Sequence, residues 1–215
     1  MSRLRFNKIT TPSTPASGKG EHFYSNTLSP AQPAFINESG TVYRMGGVWS
    51  NASTAAVGGG FASETYMTGS SINVGTAGIW QAGWVYECNF DMTKTAAGTA
   101  APVIKIYMGT LGSLSDTAVL TLTGQAQTAA ADTGVVTVNA SFRSVGSGTS
   151  AVLTAGFTIA HNLSTTGFTS GAQVSTNVAA SSGFNSTTQT IIGVSFNGGA
   201  SFSGTNTFVM ARLLG

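Results

Sequence analysis

The chain carries the sequence WVYECNFDM at residues 84–92. Large apolar side chains alternate there with other residues, and this period of two is typical of a half-buried β-strand. One face of the strand receives Trp84, Tyr86, Cys88, Phe90 and Met92. The other face receives Val85, Glu87, Asn89 and Asp91. This segment is the clearest strand in the sequence, and it predicts a sheet that buries one of its two faces.

The same alternation continues toward the C-terminal end of the chain. Further strands are predicted at residues 103–108, 117–123, 135–145, 151–161, 172–178, 189–196 and 205–214. Turn residues separate these segments, and none of them has the 3.6-residue period of a helix. With residues 84–92 they make eight strands. A region of this kind predicts an all-β fold, a jelly-roll-like β-sandwich.

The composition predicts a folded protein with an uncharged polar surface. Hydrophobic residues make up 41% of the 215-residue chain, which is enough to bury a core. Charged residues make up 7%, against roughly 25% in ordinary soluble domains. The single cysteine, Cys88, excludes an intrachain disulfide and is predicted to be a small buried residue.

The first 47 residues differ from the rest and are predicted to form an extended N-terminal arm. Positive charge is concentrated there, and residues 11–18 are rich in proline, serine and threonine. Short apolar segments after this linker predict a small hairpin, which is marginally stable alone and therefore needs a partner. The predicted domains are the arm at residues 1–47, for docking and trimerisation, and the sandwich at 48–215. Residues 48–78 have weak strand signal and are interpreted as a connection that begins the sandwich.

Motifs for catalysis, metals or nucleotides are not found in the sequence. Its two histidines, His22 and His161, lie in different segments, and His161 is predicted to be a half-buried residue with satisfied hydrogen bonds. Glu87 and Asp91 on one strand face are expected about 13 Å apart, which is too far for glycoside hydrolysis. We therefore expect no enzymatic activity, no cofactor and no bound metal. The chain also lacks a membrane segment, a signal peptide and a broad basic face for nucleic acid.

Several segments resemble a known class of proteins. The arm, with TPSTPASGK at 11–19, FY at 23–24 and FINESGTVYR at 35–44, resembles the N-terminal hairpin module of tail-fibre and other virion proteins of tailed bacteriophages. The later segments are similar to phage and prophage structural proteins with C-terminal jelly-roll domains. These segments are IYMGT at 106–110, FRSVG at 142–146, HNLSTTGF at 161–168 and IGVSFN at 192–197.

The resemblance implies a homotrimeric virion component without catalytic residues, and the lack of a signal peptide predicts that it is made in the host cytoplasm. Two main roles are compatible with it. The first is a capsid decoration, or cement, protein that binds the major capsid protein or other virion proteins and stabilises the shell. The second is a tail-fibre, tail-tip or head-fibre protein that binds a receptor or glycan on the host surface. A polysaccharide depolymerase is a minor third hypothesis. The sequence has no repeated shaft, and this favours decoration.

Two sets of residues are predicted to make contacts with partners. The docking arm is assigned Arg3, Arg5, Lys8, Phe23, Tyr24, Phe35 and Tyr43. If the protein binds a host glycan, the candidate contacts are Trp49 and Trp80, because tryptophan rings stack on sugars. Burial of these two rings in the core or at an interface is the favoured interpretation.

Overall fold

The computed structural model describes residues 8–9, 14, 16–17, 21–25, 32–36, 42–44, 48–55, 57–75 and 77–215. The chain divides into two compact units, Met1–Gly47 and Val48–Gly215. All regular structure among the described residues is β-strand, which confirms the predicted all-β class. In this part of the chain no helix is long and apolar enough to cross a membrane.

The first unit contains a four-stranded sheet. Its strands are β1 (Lys8–Ile9), β2 (Glu21–Ser25), β3 (Gln32–Ile36) and β4 (Val42–Arg44). β2, β3 and β4 form successive antiparallel pairs, and β1 runs parallel to β2. The sheet therefore contains the antiparallel hairpin pairing that was predicted for the arm, with one additional parallel strand.

The second unit is a sandwich of two sheets. Its strands are β5 (Val48–Ser53), β6 (Val57–Gly60), β7 (Thr65–Tyr66), β8 (Ile72–Asn73), β9 (Val85–Ala97), β10 (Val103–Gly109), β11 (Thr117–Thr123), β12 (Asp132–Ser144), β13 (Val152–His161), β14 (Val174–Ala180), β15 (Ile191–Asn197), β16 (Phe202–Asn206) and β17 (Val209–Leu214). The larger sheet has the order β14-β13-β12-β9-β16-β6, and β17 pairs with both β9 and β5. The smaller sheet has the order β11-β10-β15-β7, and β8 also pairs with β15.

The core lies between the two sheets and is built by the predicted alternation. In β9 the side chains of Tyr86, Cys88, Phe90 and Met92 are at most 1% exposed, whereas those between them are partly exposed. Apolar side chains of the smaller sheet face them, among them Ile104, Ile106, Val194 and Phe196. Cys88 is 0% exposed, which confirms the predicted small buried cysteine, and this burial raises the pKa of its thiol to about 12.

The structure differs from the predicted strands in two places. Residues 48–53 and 57–60 form β5 and β6, although residues 50–53 and 58–60 have little strand propensity, because their backbones pair with β17 and β16. The last predicted strand is divided into β16 and β17, because the amides of Thr207 and Phe208 donate to Oδ1 of Asp91. The other seven predicted strands are confirmed with small shifts at their ends. The specific jelly-roll connectivity stays a prediction.

Candidate functional site

A buried polar group joins the larger sheet to the loop at residues 162–173. Asp132 begins β12 and His161 ends β13, and their side chains are fully buried. Nδ1 of His161 lies 2.7 Å from Oδ2 of Asp132, and Nε2 lies 3.0 Å from the carbonyl oxygen of Ala172. The carboxylate also accepts the amides of Thr133, Leu163 and Phe168. The predicted satisfied histidine is thus confirmed, although it is more deeply buried than expected.

Lys94 lies beside this group as a buried cation. It is directly opposite Asp132 in the register of β9 and β12, and its residue is 1% exposed. Nζ donates to the carbonyl oxygens of Gly98, Thr128 and Gly167. Burial lowers the pKa of the ammonium, and the nearby charge of Asp132 opposes this shift. The opposite charges on neighbouring strands reduce the cost of burying either one.

The side chains of Thr169, His161 and Asp132 have the hydroxyl, imidazole and carboxylate order of a nucleophilic triad. However, Thr169 is 0% exposed, and its hydroxyl donates to the carbonyl of Ala172 instead of pointing into an open cleft. Gly167 has φ +89°, and a Cβ there would collide with the Asp132 carboxylate. The arrangement therefore fastens a loop to the sheet and leaves no space for a substrate at the hydroxyl.

A second polar cluster lies on the outer side of the smaller sheet. Register places Lys105, Ser195 and Tyr66 opposite one another on β10, β15 and β7. The carboxylate of Glu64 accepts hydrogen bonds from Lys105 Nζ at 2.7 Å, Ser195 Oγ at 2.6 Å and Tyr107 Oη at 2.5 Å. The rings of Tyr66 and Tyr107 pack edge to face with centroids 6.0 Å apart. Both carboxylate oxygens are therefore occupied by donors from the sheet.

The Glu64 cluster predicts a loss of stability in acid. Burial raises the pKa of this carboxyl, but hydrogen bonds from Lys105, Ser195 and Tyr107 outweigh burial and lower the pKa below its ordinary value of 4.5. Because the folded-state pKa is depressed, the contribution of Glu64 to stability is present above pH 4.5 and is lost as pH falls through the folded-state pKa.

We expect urea unfolding at a series of pH values to show this loss in the wild-type chain. The difference in unfolding free energy between wild type and Glu64→Gln should shrink as the pH decreases, because the glutamine cannot titrate. A difference that stays constant from neutral pH into acid would contradict the assignment. Asp91 titrates in the same direction, since hydrogen bonds from Thr207 and Phe208 lower its pKa against the effect of burial. It is unchanged in both proteins and cancels in the comparison.

The structure places both tryptophans that were predicted to contact a glycan inside the sandwich. Trp49 is 5% exposed and Trp80 is 3% exposed. The Trp80 ring stacks on Phe142 with centroids 5.0 Å apart, and its Nε1 donates to the carbonyl of Gln189 at 2.7 Å. Trp49 packs on Trp84 at 4.8 Å. Neither ring offers a free face to a sugar, so this interpretation is corrected, and core packing is the role that the structure assigns to them.

The predicted docking residues are distributed over the sheet of the first unit. Lys8 lies in β1, Phe23 and Tyr24 in β2, Phe35 in β3 and Tyr43 in β4. Register pairs Lys8 with Tyr24 and Phe35 with Tyr43. Arg3 and Arg5 lie outside the described residues. The docking role of all seven residues stays a prediction.

Among the residues that the structure describes, no group of three or more His, Cys, Asp and Glu side chains could hold a metal ion. The exposed side of the larger sheet is the remaining broad surface. It consists mainly of threonine, asparagine, serine, alanine and valine, and Asp91, Thr133, Val135 and Ala160 line a shallow hollow in it. In the sequence this surface corresponds to the outward-facing residues of each alternating strand. That pattern alone does not identify a partner.

Comparisons with known proteins leave the family open. No family model matches the chain, and no curated protein matches it. A solved structure of T=1 particles derived from infectious bursal virus is similar at TM-score 0.22 and 11% identity, over 81% of this chain and 42% of that chain. The CBM2 module of the evolved Dit of Lactobacillus casei BL23 phage J-1 is similar at TM-score 0.20 and 11% identity, over 78% of this chain and 90% of that chain. Likenesses this low carry no argument about fold or function.

Proposed function

We propose that this chain is a non-enzymatic structural protein of a tailed-phage particle, and that it is a trimeric decoration protein of the capsid. The observation that carries the proposal is the division into two different units. A basic N-terminal unit, Met1–Gly47, precedes a larger sandwich, Val48–Gly215, whose surface is rich in uncharged side chains. A decoration protein needs one part that binds the major capsid protein and a second, compact part that associates with other copies. The two units provide this division.

The side chains with catalytic potential support the non-enzymatic part of the proposal. Three of these side chains are buried, and their hydrogen bonds hold the loop at residues 162–173 on the sheet: Asp132, His161 and Thr169. Glu64 has both oxygens occupied, and Cys88 has a buried thiol with a raised pKa. Each of these groups is used by the fold, which is what an assembly protein without substrate turnover needs.

The number of copies in purified particles tests the proposal. Quantitative mass spectrometry, with the major capsid protein as the internal standard, should find on the order of hundreds of copies per particle, as decoration of a symmetric shell requires. Electron cryomicroscopy of the same particles should place the chain on the capsid. At most about two dozen copies, located at the tail or on head fibres, would overturn decoration and favour the receptor-binding alternative. Release of reducing sugar ends from host polysaccharide would overturn the non-enzymatic assignment.

A further inference from the structure

We propose that the outer face of the larger sheet is the surface through which copies of this chain associate, and that its occupant is a second copy of the same chain. The outer face means the outward side chains of β5, β17, β9, β12, β13 and β14. This inference deepens the proposed function and rests on it, since it names the assembling surface of the sandwich.

The register of the sheet arranges these side chains in rows that cross the strands. One row contains Ala52, Met210, Asn89, Thr137, Thr158 and Thr176. The next row contains Ser50, Arg212, Glu87, Asn139, Gly156 and Val178. Most of these residues are small or β-branched, so most side chains in the rows are short. Such side chains lose little conformational entropy when a partner covers them.

The outer face has an ion pair and a carboxylate that is held by hydrogen bonds from neutral donors. Arg212 and Glu87 are directly opposite each other on β17 and β9, and Nε of Arg212 binds Oε2 of Glu87. Asp91 accepts hydrogen bonds from the amides of Thr207 and Phe208 and from the Thr207 hydroxyl. Arg143 lies near the end of β12, at the rim, where interfaces are usually polar. A partner that covers the Arg212–Glu87 pair therefore meets opposite charges that are already paired, and the Asp91 carboxylate keeps its hydrogen bonds from Thr207 and Phe208.

Exposed apolar side chains are concentrated at the same place. Six large hydrophobic residues are exposed in the described chain. Three of them, Val135, Val174 and Val178, belong to the outer face, and a fourth, Phe208, adjoins it by donating its amide to Asp91. Val135 is opposite Ala160, and Ala160 is opposite Val174, so these three residues form an apolar stripe across β12, β13 and β14. Such a stripe gains free energy when a partner removes it from water.

The face is close in size to one side of a stable protein–protein interface. Six strands about 4.8 Å apart and four rows about 6.7 Å apart cover about 700 Å². Stable interfaces bury about 800 Å² on each partner.

The occupant follows from the charge pattern. A strongly basic or acidic partner would find no strong opposite charge on this face, whereas a second copy presents the same mostly uncharged side chains. Copies related by closed symmetry can cover it in every subunit.

Light scattering on the full-length chain tests the assignment. The wild-type chain should have the mass of several subunits, and of three subunits if it is the trimer of the proposed function. The Val178→Glu variant should have the mass of one subunit. Association would bury the glutamate at position 178 of every copy without a cationic partner, and this opposes association. The matched control is Leu111→Glu, because Leu111 is 66% exposed on the loop between β10 and β11. Far-UV circular dichroism verifies that both variants are folded. A monomeric wild type, or a Val178→Glu variant with wild-type mass, would overturn the proposal.

Thiol labelling gives a second measurement that does not need a disruptive variant. Cys88 is 0% exposed, so an introduced surface cysteine is the one that reacts in the folded chain. Maleimide labelling of Val135→Cys should slow as protein concentration rises, whereas labelling of Leu111→Cys should not change. The same dependence of the labelling rate on protein concentration at positions 135 and 111 would contradict the assignment. A low copy number in particles would overturn decoration without affecting these results, so failure of the surface and failure of the proposed function are distinguishable.

Discussion

Replacement of Asp132 by alanine is expected to lower the free energy of unfolding by about 3 to 5 kcal/mol, because it leaves His161 and Lys94 buried without their carboxylate. It also removes the acceptor of three backbone amides that hold residues 133, 163 and 168. Urea unfolding followed by circular dichroism measures the loss. The loop at residues 162–173 should also become more sensitive to proteolysis than the rest of the sandwich.

The matched control for Asp132→Ala is Glu87→Gln. Glu87 also belongs to an ion pair between neighbouring strands, but its partner Arg212 is 48% exposed at the side chain. Exposed pairs contribute about 1 kcal/mol or less, so at a protein concentration at which the chain is monomeric this variant should be nearly as stable as the wild type. Similar losses in the two variants would show that burial is not the source of the effect.

Replacement of Trp80 by alanine is expected to cost about 3 to 5 kcal/mol, as removal of a large aromatic core side chain does. The ring stacks on Phe142, packs edge to face on Trp84 at 6.2 Å and donates to the carbonyl of Gln189. Equilibrium unfolding in urea measures the change. Leu111→Ala is the control, since an exposed loop side chain contributes within about 0.5 kcal/mol. A Trp80→Ala protein with unchanged stability and weakened glycan binding would restore the sugar-contact interpretation.

Most strands were predictable from the sequence, whereas the contacts of Asp132 and Trp80 were not. The strands at β9 to β15 followed from alternation, because the side-chain period of a strand is local and is written in consecutive residues. β5 was missed, because Ser50, Asn51 and Ala52 become a strand through pairing with β17, which is far away in the chain. The tryptophans were candidates for either surface or core, and local pattern could not decide between those positions.

The sequence by itself determined the all-β class, the change of composition after the first 47 residues and the inward set of side chains on the main strands. These properties depend on neighbours in the chain. Tertiary structure decided which polar groups meet. Asp132, His161 and Lys94 lie on three different strands, and register between β9, β12 and β13 brings them together. The outer face likewise exists only after strands from both ends of the sandwich are paired, because a surface is a property of neighbours in space.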